Sequence, residues 1–378
     1  MIHPKLRNYF LGSFIIAVLM FAGCQTEPEE PIVYTMIDSL VTADIETIPV
    51  SAPSSMDAAD DPAIWIHPSE ASKSLILGTN KKLGISTYNL QGEEVHFDSV
   101  GNVNNIDVRY GFQFDNGTKA DITACSERIH NKIVIYRINE QDGSLTDVHG
   151  DRLMSEINEV YGFCLYHSSE TGKFYAFING KSGVIEQWEL SPFGENEITG
   201  QVVRTLSVET QPEGMVADDE LGYLYVGEEE RAIWKFNAEP DNNDLPQMIL
   251  ESDESNEKIS YDIEGLTLYY AKKGKGYLIA SSQGNDSFAI FERGGENKYL
   301  GSFEITDGTL DGTEGTDGID VCNLNLGDPF SKGMFIVQDD ENTNEGSVKP
   351  QNFKGVSWEK IANLFDPPLF IHNEYNPY

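Results

Sequence analysis

The sequence predicts an all-β fold, a six-bladed β-propeller whose four-stranded blades surround a central channel. Short aliphatic or alternating runs such as SLILGTN, KIVIYRI and YLYVGEE dominate the chain, separated by Gly, Asn and Asp. That pattern is typical of strands joined by tight turns. No long stretch has the 3.6-residue apolar period of a helix, and only VSWEKIANLF near the end of the chain has a helical pattern.

The strand-like runs group into six units that share one plan. Each unit begins with an apolar strand flanked by an acid or Gly, and a Gly turn then leads to an aliphatic strand with a polar end and an aromatic-ended strand. The units start roughly 45–55 residues apart, which is the length of one propeller blade. A short early strand near Ile48 would complete the last blade and close the ring, which removes exposed sheet edges.

The first 23 residues are typical of a bacterial lipoprotein signal peptide. Lys5 and Arg7 precede an apolar run from Leu11 to Phe21, which is too short to be a normal membrane-spanning helix. Small residues then lead to Cys24, the predicted site of lipid attachment. We therefore expect export and lipid anchoring in the bacterial cell envelope, with a periplasmic or secreted protein as the alternative.

The rest of the chain divides into two predicted parts. Residues 24–45 are rich in Pro, Glu, Ser and Thr and are predicted to be a tether. Residues 46–378 are predicted to form the propeller, which is expected to be a monomer that contacts a membrane only through the N-terminal lipid.

The formal net charge of −36 excludes nucleic acid and anionic lipid surfaces as partners, since such a charge is repelled by both. The acids permit two interpretations, a solvated acidic surface or carboxylates that converge on divalent metal. The seven histidines are scattered without ligand spacing, so zinc is not expected. Cys125, Cys164 and Cys322 lie in apolar contexts and are expected to be small buried hydrophobic residues.

Two sets of polar residues recur at equivalent places in the units. The unit starts carry Asp60, Asp61, Asp107, Glu213, Glu264, Asp317 and Asp320. The ends of the second strands carry Lys81, Lys82, Arg128, Lys181, Glu228, Glu229 and Gln283. Because equivalent positions of successive blades meet around the channel, the sequence predicts one acidic ring flanked by a few cations.

An acidic ring of this kind predicts a site for a hard divalent cation, and calcium suits mixed Asp, Glu, Asn and backbone oxygens better than magnesium. The metal would hold phosphate oxygens and activate water for attack, while Lys81, Lys82, Arg128 and Lys181 bind a second phosphate. Each of these residues also has a simpler interpretation. A single acid can cap a turn or bind a structural ion, Tyr161 can be an interfacial aromatic, and Lys81-Lys82 can be a solvated turn.

Two segments resemble the signature motifs of β-propeller phytases, DAADDPAIWIHP at 57–68 and NNIDVRYGF at 104–112. TNKKLG, EVYGFCLYHS, EGMVADDE, EEERAIWKF, DIEGLTLYYA, SSQGN and DGTEGTDGIDV also resemble family segments in the same order, over roughly residues 46–365. The resemblance implies a calcium-dependent, 3-phytase-like enzyme that hydrolyses phosphomonoesters of myo-inositol hexakisphosphate, as the calcium–phytate complex. It further implies several calcium ions, structural and catalytic, and a cleavage site beside a second phosphate-binding site.

The resemblance also implies roles for individual residues. The implied catalytic residues are Tyr161, Glu213, Glu229, Glu264 and Asp317. The implied phosphate-binding cations are Lys81, Lys82, Arg128 and Lys181. The implied metal ligands are Glu46, Asp60, Asp61, Glu213, Glu229, Asp262, Glu264, Gln283, Asp311, Asp317, Glu341 and Asn342. The chain departs from the family pattern at Asp340, which replaces a glycine, and in a shorter acidic loop around Asp311.

Two other functions fit a propeller with an acidic channel. A calcium-dependent lactonase or other esterase would need fewer cations at the channel mouth. A non-enzymatic propeller that binds a partner or a glycan would show no turnover to lose when Tyr161 or Glu213 is changed.

Overall fold

The structure is a computed structural model that describes Met1 and residues 32–53, 55–150, 152–242, 244–253, 255–344 and 346–372. The predicted signal peptide beyond Met1 and the predicted lipid attachment site at Cys24 lie outside the described residues. Within the described ranges, no helix has the length and apolar character needed to cross a membrane.

Short strands precede the first blade, and four consecutive antiparallel strands then build each of blades one to four. The early strands are β1 (Thr35–Met36), β2 (Leu40–Val41) and β3 (Ile45–Glu46). Blade one is β4 (Ala59–Trp65), β5 (Leu75–Asn80), β6 (Gly84–Asn89) and β7 (Glu94–Ser99). Blade two is β8 (Val103–Gln113), β9 (Lys119–Glu127), β10 (Lys132–Ile138) and β11 (Leu145–Asp147). Blade three is β12 (Val160–His167), β13 (Phe174–Gly180), β14 (Val184–Phe193) and β15 (Glu197–Ser207). Blade four is β16 (Pro212–Asp218), β17 (Tyr223–Glu228), β18 (Ala232–Asn237) and β19 (Gln247–Glu251).

The last two blades recruit the early strands. Blade five is β20 (Ile263–Tyr270), β21 (Gly276–Ser282), β22 (Ser287–Glu292) and β23 (Tyr299–Ile305), and β2 adds to it in parallel. Blade six contains β24 (Ile319–Cys322), β25 (Met334–Asp339) and β28 (Asn352–Ser357), with the hairpin β26 (Thr343–Asn344) and β27 (Ser347–Val348) between them. The helix α1 (Trp358–Ala362) and β29 (Phe365–Asp366) follow.

The predicted closure of the ring is confirmed. Strand β3, just before Ile48, pairs with β28 as the fourth strand of blade six, with Glu46 opposite Lys354. The inner strands β4, β8, β12, β16, β20 and β24 contact one another in that order, and β24 contacts β4. Of the predicted tether, residues 32–45 are described, and within them β1 pairs with β29 and β2 with β23.

The apolar core lies between the blades. Six hydrophobic clusters are found among the described residues, each joining two neighbouring blades, and the last joins blade six to blade one. Cys125 and Cys164 are buried free thiols, as predicted, whereas Cys322 is a free thiol that is only half-buried. The predicted helical segment is α1, whose Trp358 stacks on Tyr269 with ring centroids 4.1 Å apart.

A buried ion pair joins blade four to blade five. Arg293 is fully buried directly after β22, and its Nε and Nη2 donate to the Asp218 carboxylate at the end of β16, both at 2.6 Å. The guanidinium carbon also lies 3.9 Å from the Tyr270 ring centroid. Both charges are buried, and removing one partner would leave the other without its main counter-charge.

We expect Arg293→Met to lower the free energy of unfolding by about 3–5 kcal/mol, because the Asp218 carboxylate would stay buried without its partner. The measurement is urea unfolding at constant calcium. The exposed pair of Lys73 with Glu70 provides the control, and Lys73→Met should leave the unfolding midpoint unchanged. Equal effects of the two substitutions would contradict a stabilising role for Arg293.

Candidate functional site

Six equivalent positions on the inner strands form what we call the inner ring. In the first five blades each position falls within a shift of strand register typical of a β-bulge, and in blade six it comes two residues before β24. The inner ring consists of Asp60, Asn104, Tyr161, Glu213, Glu264 and Asp317. A β-bulge changes the direction of the side chains at the bulge, so the repeated register shift in blades one to five turns one side chain per blade toward the same ring.

Glycines allow the inner strands to come close together. Tyr161, Glu213, Glu264 and Asp317 are each followed by Gly. A Cβ at Gly214 would lie 1.9 Å from the Glu264 carbonyl oxygen, and one at Gly162 would lie 1.9 Å from that of Glu213. Any larger residue at these two positions would therefore push the acids of neighbouring blades apart.

A second set, which we call the outer ring, consists of the residue directly after the second strand of each blade. Its members are Lys81, Arg128, Lys181, Glu229, Gln283 and Asp340. The first three are cations on consecutive blades, whereas the last three offer oxygen atoms. The outer ring thus has a positive half and an oxygen-rich half.

Three glutamates form a compact carboxylate cluster. One oxygen from each of Glu213, Glu229 and Glu264 lies within 4.8 Å of the others, and all three residues are buried. Burial, opposed in part by a hydrogen bond from Gln211, raises the pKa of Glu229 to about 7. Burial and the neighbouring Glu213 raise the pKa of Glu264 well above its usual range. Like charges held this close cannot all ionise without a cation.

Lys81 is surrounded by carboxylates. Its Nζ lies 2.7 Å from an oxygen of Asp57, 2.7 Å from one of Asp317 and 3.3 Å from one of Asp60. Burial alone would lower the pKa of Lys81, but Asp60 and Asp317 outweigh it and raise that pKa well above the usual range. Lys81 therefore neutralises part of the inner ring.

The donor atoms fit a hard divalent cation. Oδ2 of Asp60 and Oε2 of Glu264 are buried without a hydrogen-bond donor among the described residues, and Oδ1 of Asp60 faces Lys81 Nζ at 3.3 Å. Burial raises the pKa values of Asp60 and Asp317 despite the opposing charge of Lys81. All these donors are oxygens, which calcium or magnesium prefers, and no His or Cys belongs to the cluster of three glutamates.

Tyr161 lies between the cluster and two cations. The guanidinium carbon of Arg128 is 5.1 Å from its ring centroid, and Lys181 Nζ is 4.5 Å from it. Burial, with the nearby charges of Glu213 and Glu264, raises the pKa of the Tyr161 hydroxyl well above its usual range. Because this pKa is raised, the hydroxyl keeps its proton at neutral pH and can donate a hydrogen bond.

Other predicted site residues border these rings. Gln283 Nε2 donates to Asp317 Oδ1 at 2.8 Å. Burial raises the pKa of Asp262, and the charges of Glu230 and Glu213 add to this effect. Lys82 is exposed in the turn after β5.

The remaining predicted ligands lie elsewhere in the propeller. Asp311 and Glu341 line an acidic cavity of about 350 Å³, together with Asp286, Glu304, Asp307, Glu314 and Asp339. Lys354 bridges Asp311 and Asp339 there, with 2.7 Å from Nζ to the Asp339 carboxylate. Glu46 Oε2 accepts from Asn352 Nδ2 at 3.2 Å, and Asn342 Nδ2 donates to the Pro350 carbonyl oxygen at 2.7 Å.

The expectation that all unit-start acids form one ring requires a correction. The carboxylate of Asp61 accepts from the Ile106 N–H at 3.0 Å, that of Asp107 from Leu165 N–H at 2.9 Å, and that of Asp320 from Ile64 N–H at 2.8 Å. Each of these three bonds joins one blade to the next. Successive strand residues face opposite sides of the sheet, so Asp61 bonds to the backbone of the next blade while its neighbour Asp60 belongs to the inner ring.

Sequence reasoning missed two ring positions, Asn104 and Asp340. The unit start of blade two was placed at Asp107 because that residue is acidic, whereas the inner-ring position comes three residues earlier. Alignment of the second and third residues of these inner strands, Asp60-Asp61 with Asn104-Asn105 and Glu213-Gly214, would have found Asn104. Asp340 accepts from the Gln351 side chain, whose Oε1 accepts from Ala59 N–H at 2.8 Å.

The chain was compared with known protein families, curated proteins and solved structures. A family model described as Phytase matches residues 11–378. A 3-phytase of Bacillus subtilis (strain 168) is 48% identical over 342 residues, covering 89% of this chain and 88% of the relative. A functionally unknown protein from Desulfotomaculum acetoxidans DSM 771 has a TM-score of 0.43 at 14% identity, over 64% of this chain and 70% of that protein. The β-propeller domain of Cps50 (Swd1) from Myceliophteria thermophila has a TM-score of 0.41 at 12% identity, over 79% and 84%.

We expect the metal-free protein to be less stable at pH 8 than at pH 5.5. The pKa of Glu229 is raised from near 4.5 to about 7 in the folded state, and burial also raises those of Glu264 and Asp317. The folded state therefore binds more protons than the unfolded chain between these values, and stability falls as pH rises through that window. Thermal unfolding in chelator at both pH values checks this.

Calcium should reverse the trend at pH 8 by binding only the folded state. A Glu229→Gln variant is the matched control, because it removes one of the titrating carboxyl groups and should flatten the pH dependence. A melting temperature that rises with pH in chelator would contradict a carboxylate cluster without its own counter-charge.

Proposed function

The chain belongs to the phytase family of phosphoric monoester hydrolases, and we propose that it hydrolyses phytate with calcium ions held by the inner ring. The observation that carries this proposal is the position of the three-glutamate cluster beside two cations across one tyrosine ring. Negative oxygens that need a divalent cation thus stand next to positive groups that need an anion. A phosphate ester beside a second phosphate satisfies both requirements.

The cluster of Glu213, Glu229 and Glu264 would hold the ion at the hydrolysis site, with Asp60 and Asp317 as further oxygen donors. Bound calcium supplies positive charge that holds phosphate oxygens and lowers the pKa of water. The Tyr161 hydroxyl keeps its proton because its pKa is raised, so it can donate a hydrogen bond to a phosphate oxygen. No side chain is needed as a nucleophile, because water can attack phosphorus directly.

Arg128 and Lys181 are the cations best placed to bind a neighbouring phosphate. Both lie against Tyr161, and Arg128 can offer two parallel N–H donors to phosphate oxygens. Lys81 is less available, because its ammonium already contacts three carboxylates. We therefore assign Lys81 chiefly to charge balance within the inner ring. The substrate of a lactonase or esterase has no second phosphate for the cations in the positive half of the outer ring to bind.

Phosphate release from sodium phytate should require calcium. Protein that lacks residues 1–24 would be freed of metal with chelator and assayed near neutral pH with and without added calcium. We expect release only with calcium, and a Glu213→Gln variant should lose at least about 100-fold in kcat because it removes one carboxylate of the ion site. Release at an equal rate in chelator would refute the proposal.

We further propose that the protein is exported and anchored through an acylated Cys24. The support is the order of charged, apolar and small residues before that cysteine. In a bacterial host that processes lipoproteins, the full chain should incorporate labelled palmitate and sediment with membranes. The Cys24→Ser variant should do neither, and recovery of the unaltered protein in the soluble fraction without label would contradict the anchor.

A further inference from the structure

Asn104 occupies the inner-ring position of blade two, where the neighbouring blades contribute Asp60 and Tyr161. Its side chain is fully buried. The same blade contributes Arg128 to the outer ring, directly after β9. A neutral amide therefore stands in a ring that is otherwise acidic except for one tyrosine, and the roles proposed above do not use it.

The amide of Asn104 joins the two halves of the site. Its Nδ2 donates to Glu213 Oε1 at 2.7 Å and to Asn105 Oδ1 at 3.1 Å. Its Oδ1 accepts from Arg128 Nη1 at 3.1 Å. One planar group thus links a member of the carboxylate cluster to a cation of the outer ring.

This linkage needs an amide of this length. A carboxylate at position 104 could still accept from Arg128, but it would place another negative charge against Glu213. An aliphatic side chain of the same shape would leave a buried carboxylate oxygen and a guanidinium N–H without their partners, which is costly. Because Asn104 engages one oxygen of Glu213, the other oxygen remains for the cluster.

The hydrogen bond to Asn104 positions Arg128 and uses only one of its guanidinium nitrogens. Among the residues that the structure describes, Asn104 provides the one hydrogen-bond acceptor found for the Arg128 side chain. The remaining guanidinium N–H groups are free to bind an anion, and their direction is set by the bond from Nη1. A positioned fork loses less conformational freedom on binding phosphate than a mobile one.

We propose that Asn104 is a positioning residue that sets the spacing between the ion-binding glutamate and the phosphate-binding arginine. By doing so it selects substrates that carry phosphates on neighbouring carbon atoms over substrates with a single phosphate. The inference deepens the proposed function and rests on it. Asn104 itself need not touch the reacting atoms.

The central experiment compares Asn104→Leu with the unaltered protein at saturating calcium. We expect kcat/KM for phytate to fall about 10–100-fold, the range for loss of one charge-assisted contact, and that for p-nitrophenyl phosphate to fall much less. In an Arg128→Met background, Asn104→Leu should no longer change the ratio between the two substrates. Equal losses on both substrates, or an unchanged effect in that background, would overturn the proposal.

Binding measurements supply readouts that do not depend on turnover. Titration calorimetry should show weaker calcium binding to Asn104→Leu, because Glu213 loses its anchor. With calcium present, the same variant should bind myo-inositol hexakissulfate more weakly, while its affinity for inorganic sulfate stays unchanged. Unchanged affinities for calcium and for hexakissulfate would refute the role of Asn104. Absence of phosphate release by the unaltered protein, with these affinity changes present, would refute the proposed function and leave the role of Asn104 standing.

Two further variants guard against a simple folding defect. Asn104→Asp keeps the acceptor for Arg128 and should retain most of the preference for phytate while changing the affinity for calcium.

Gln187→Met is the matched control for a folding defect. Gln187 is a buried amide that accepts from Arg204 Nε at 2.9 Å and donates to the Ala238 carbonyl oxygen at 2.7 Å, outside both rings. It should lower the melting temperature and leave substrate preference and calcium affinity unchanged. A loss of preference in Gln187→Met equal to that in Asn104→Leu would show that general destabilisation is the cause, and would overturn the proposal.

Discussion

The close approach of six inner strands around one channel is the constraint on which the rest of the structure depends. Pairing of β3 with β28 closes the ring, and six interblade clusters fill the space between the blades. Glycines such as Gly162 and Gly214 allow backbone contacts that any other residue would prevent. The same close approach brings acids from different blades together, so the fold itself creates repulsion between their carboxylates that must be compensated.

The protein answers this problem in two ways. Three acids outside the inner ring, Asp61, Asp107 and Asp320, accept hydrogen bonds from backbone N–H groups of neighbouring blades, so their carboxylates have donors within the fold. In the inner ring, Lys81 offsets only part of the charge, and within the described part of the chain Oδ2 of Asp60 and Oε2 of Glu264 have no hydrogen-bond donor. The first group holds the ring together, whereas the second retains the unsatisfied oxygens that a divalent cation requires.

Asp340 shows how a departure from the family pattern can be accommodated. It occupies the outer-ring position of blade six and contacts Gln351, which in turn accepts from the backbone just before Asp60. Burial raises the pKa of Asp340, and the nearby charge of Asp57 adds to this effect. The Asp340 carboxylate therefore holds Gln351, which binds the backbone next to Asp60, and it adds a negative charge to the oxygen-rich half of the outer ring.

Repetition made much of the molecule predictable. The blade-length spacing of the strand runs predicted the propeller and its closing strand. It singled out four of the six inner-ring residues and five of the six outer-ring residues, because equivalent places in a repeat meet around one axis. Tyr161 was singled out by the family resemblance instead. The match of motifs predicted the family, which the comparisons confirm.

Only the tertiary structure decided which way each side chain turns and what it meets there. A bulge shifts the strand register, and an acidic residue three positions later drew the assignment, so Asn104 was overlooked in favour of Asp107. The neighbours of Lys81 are Asp57, Asp60 and Asp317, which come from both ends of the chain, and no local pattern could pair them. A closed ring brings distant positions to within a few ångströms, and their contacts exist only once the ring has formed.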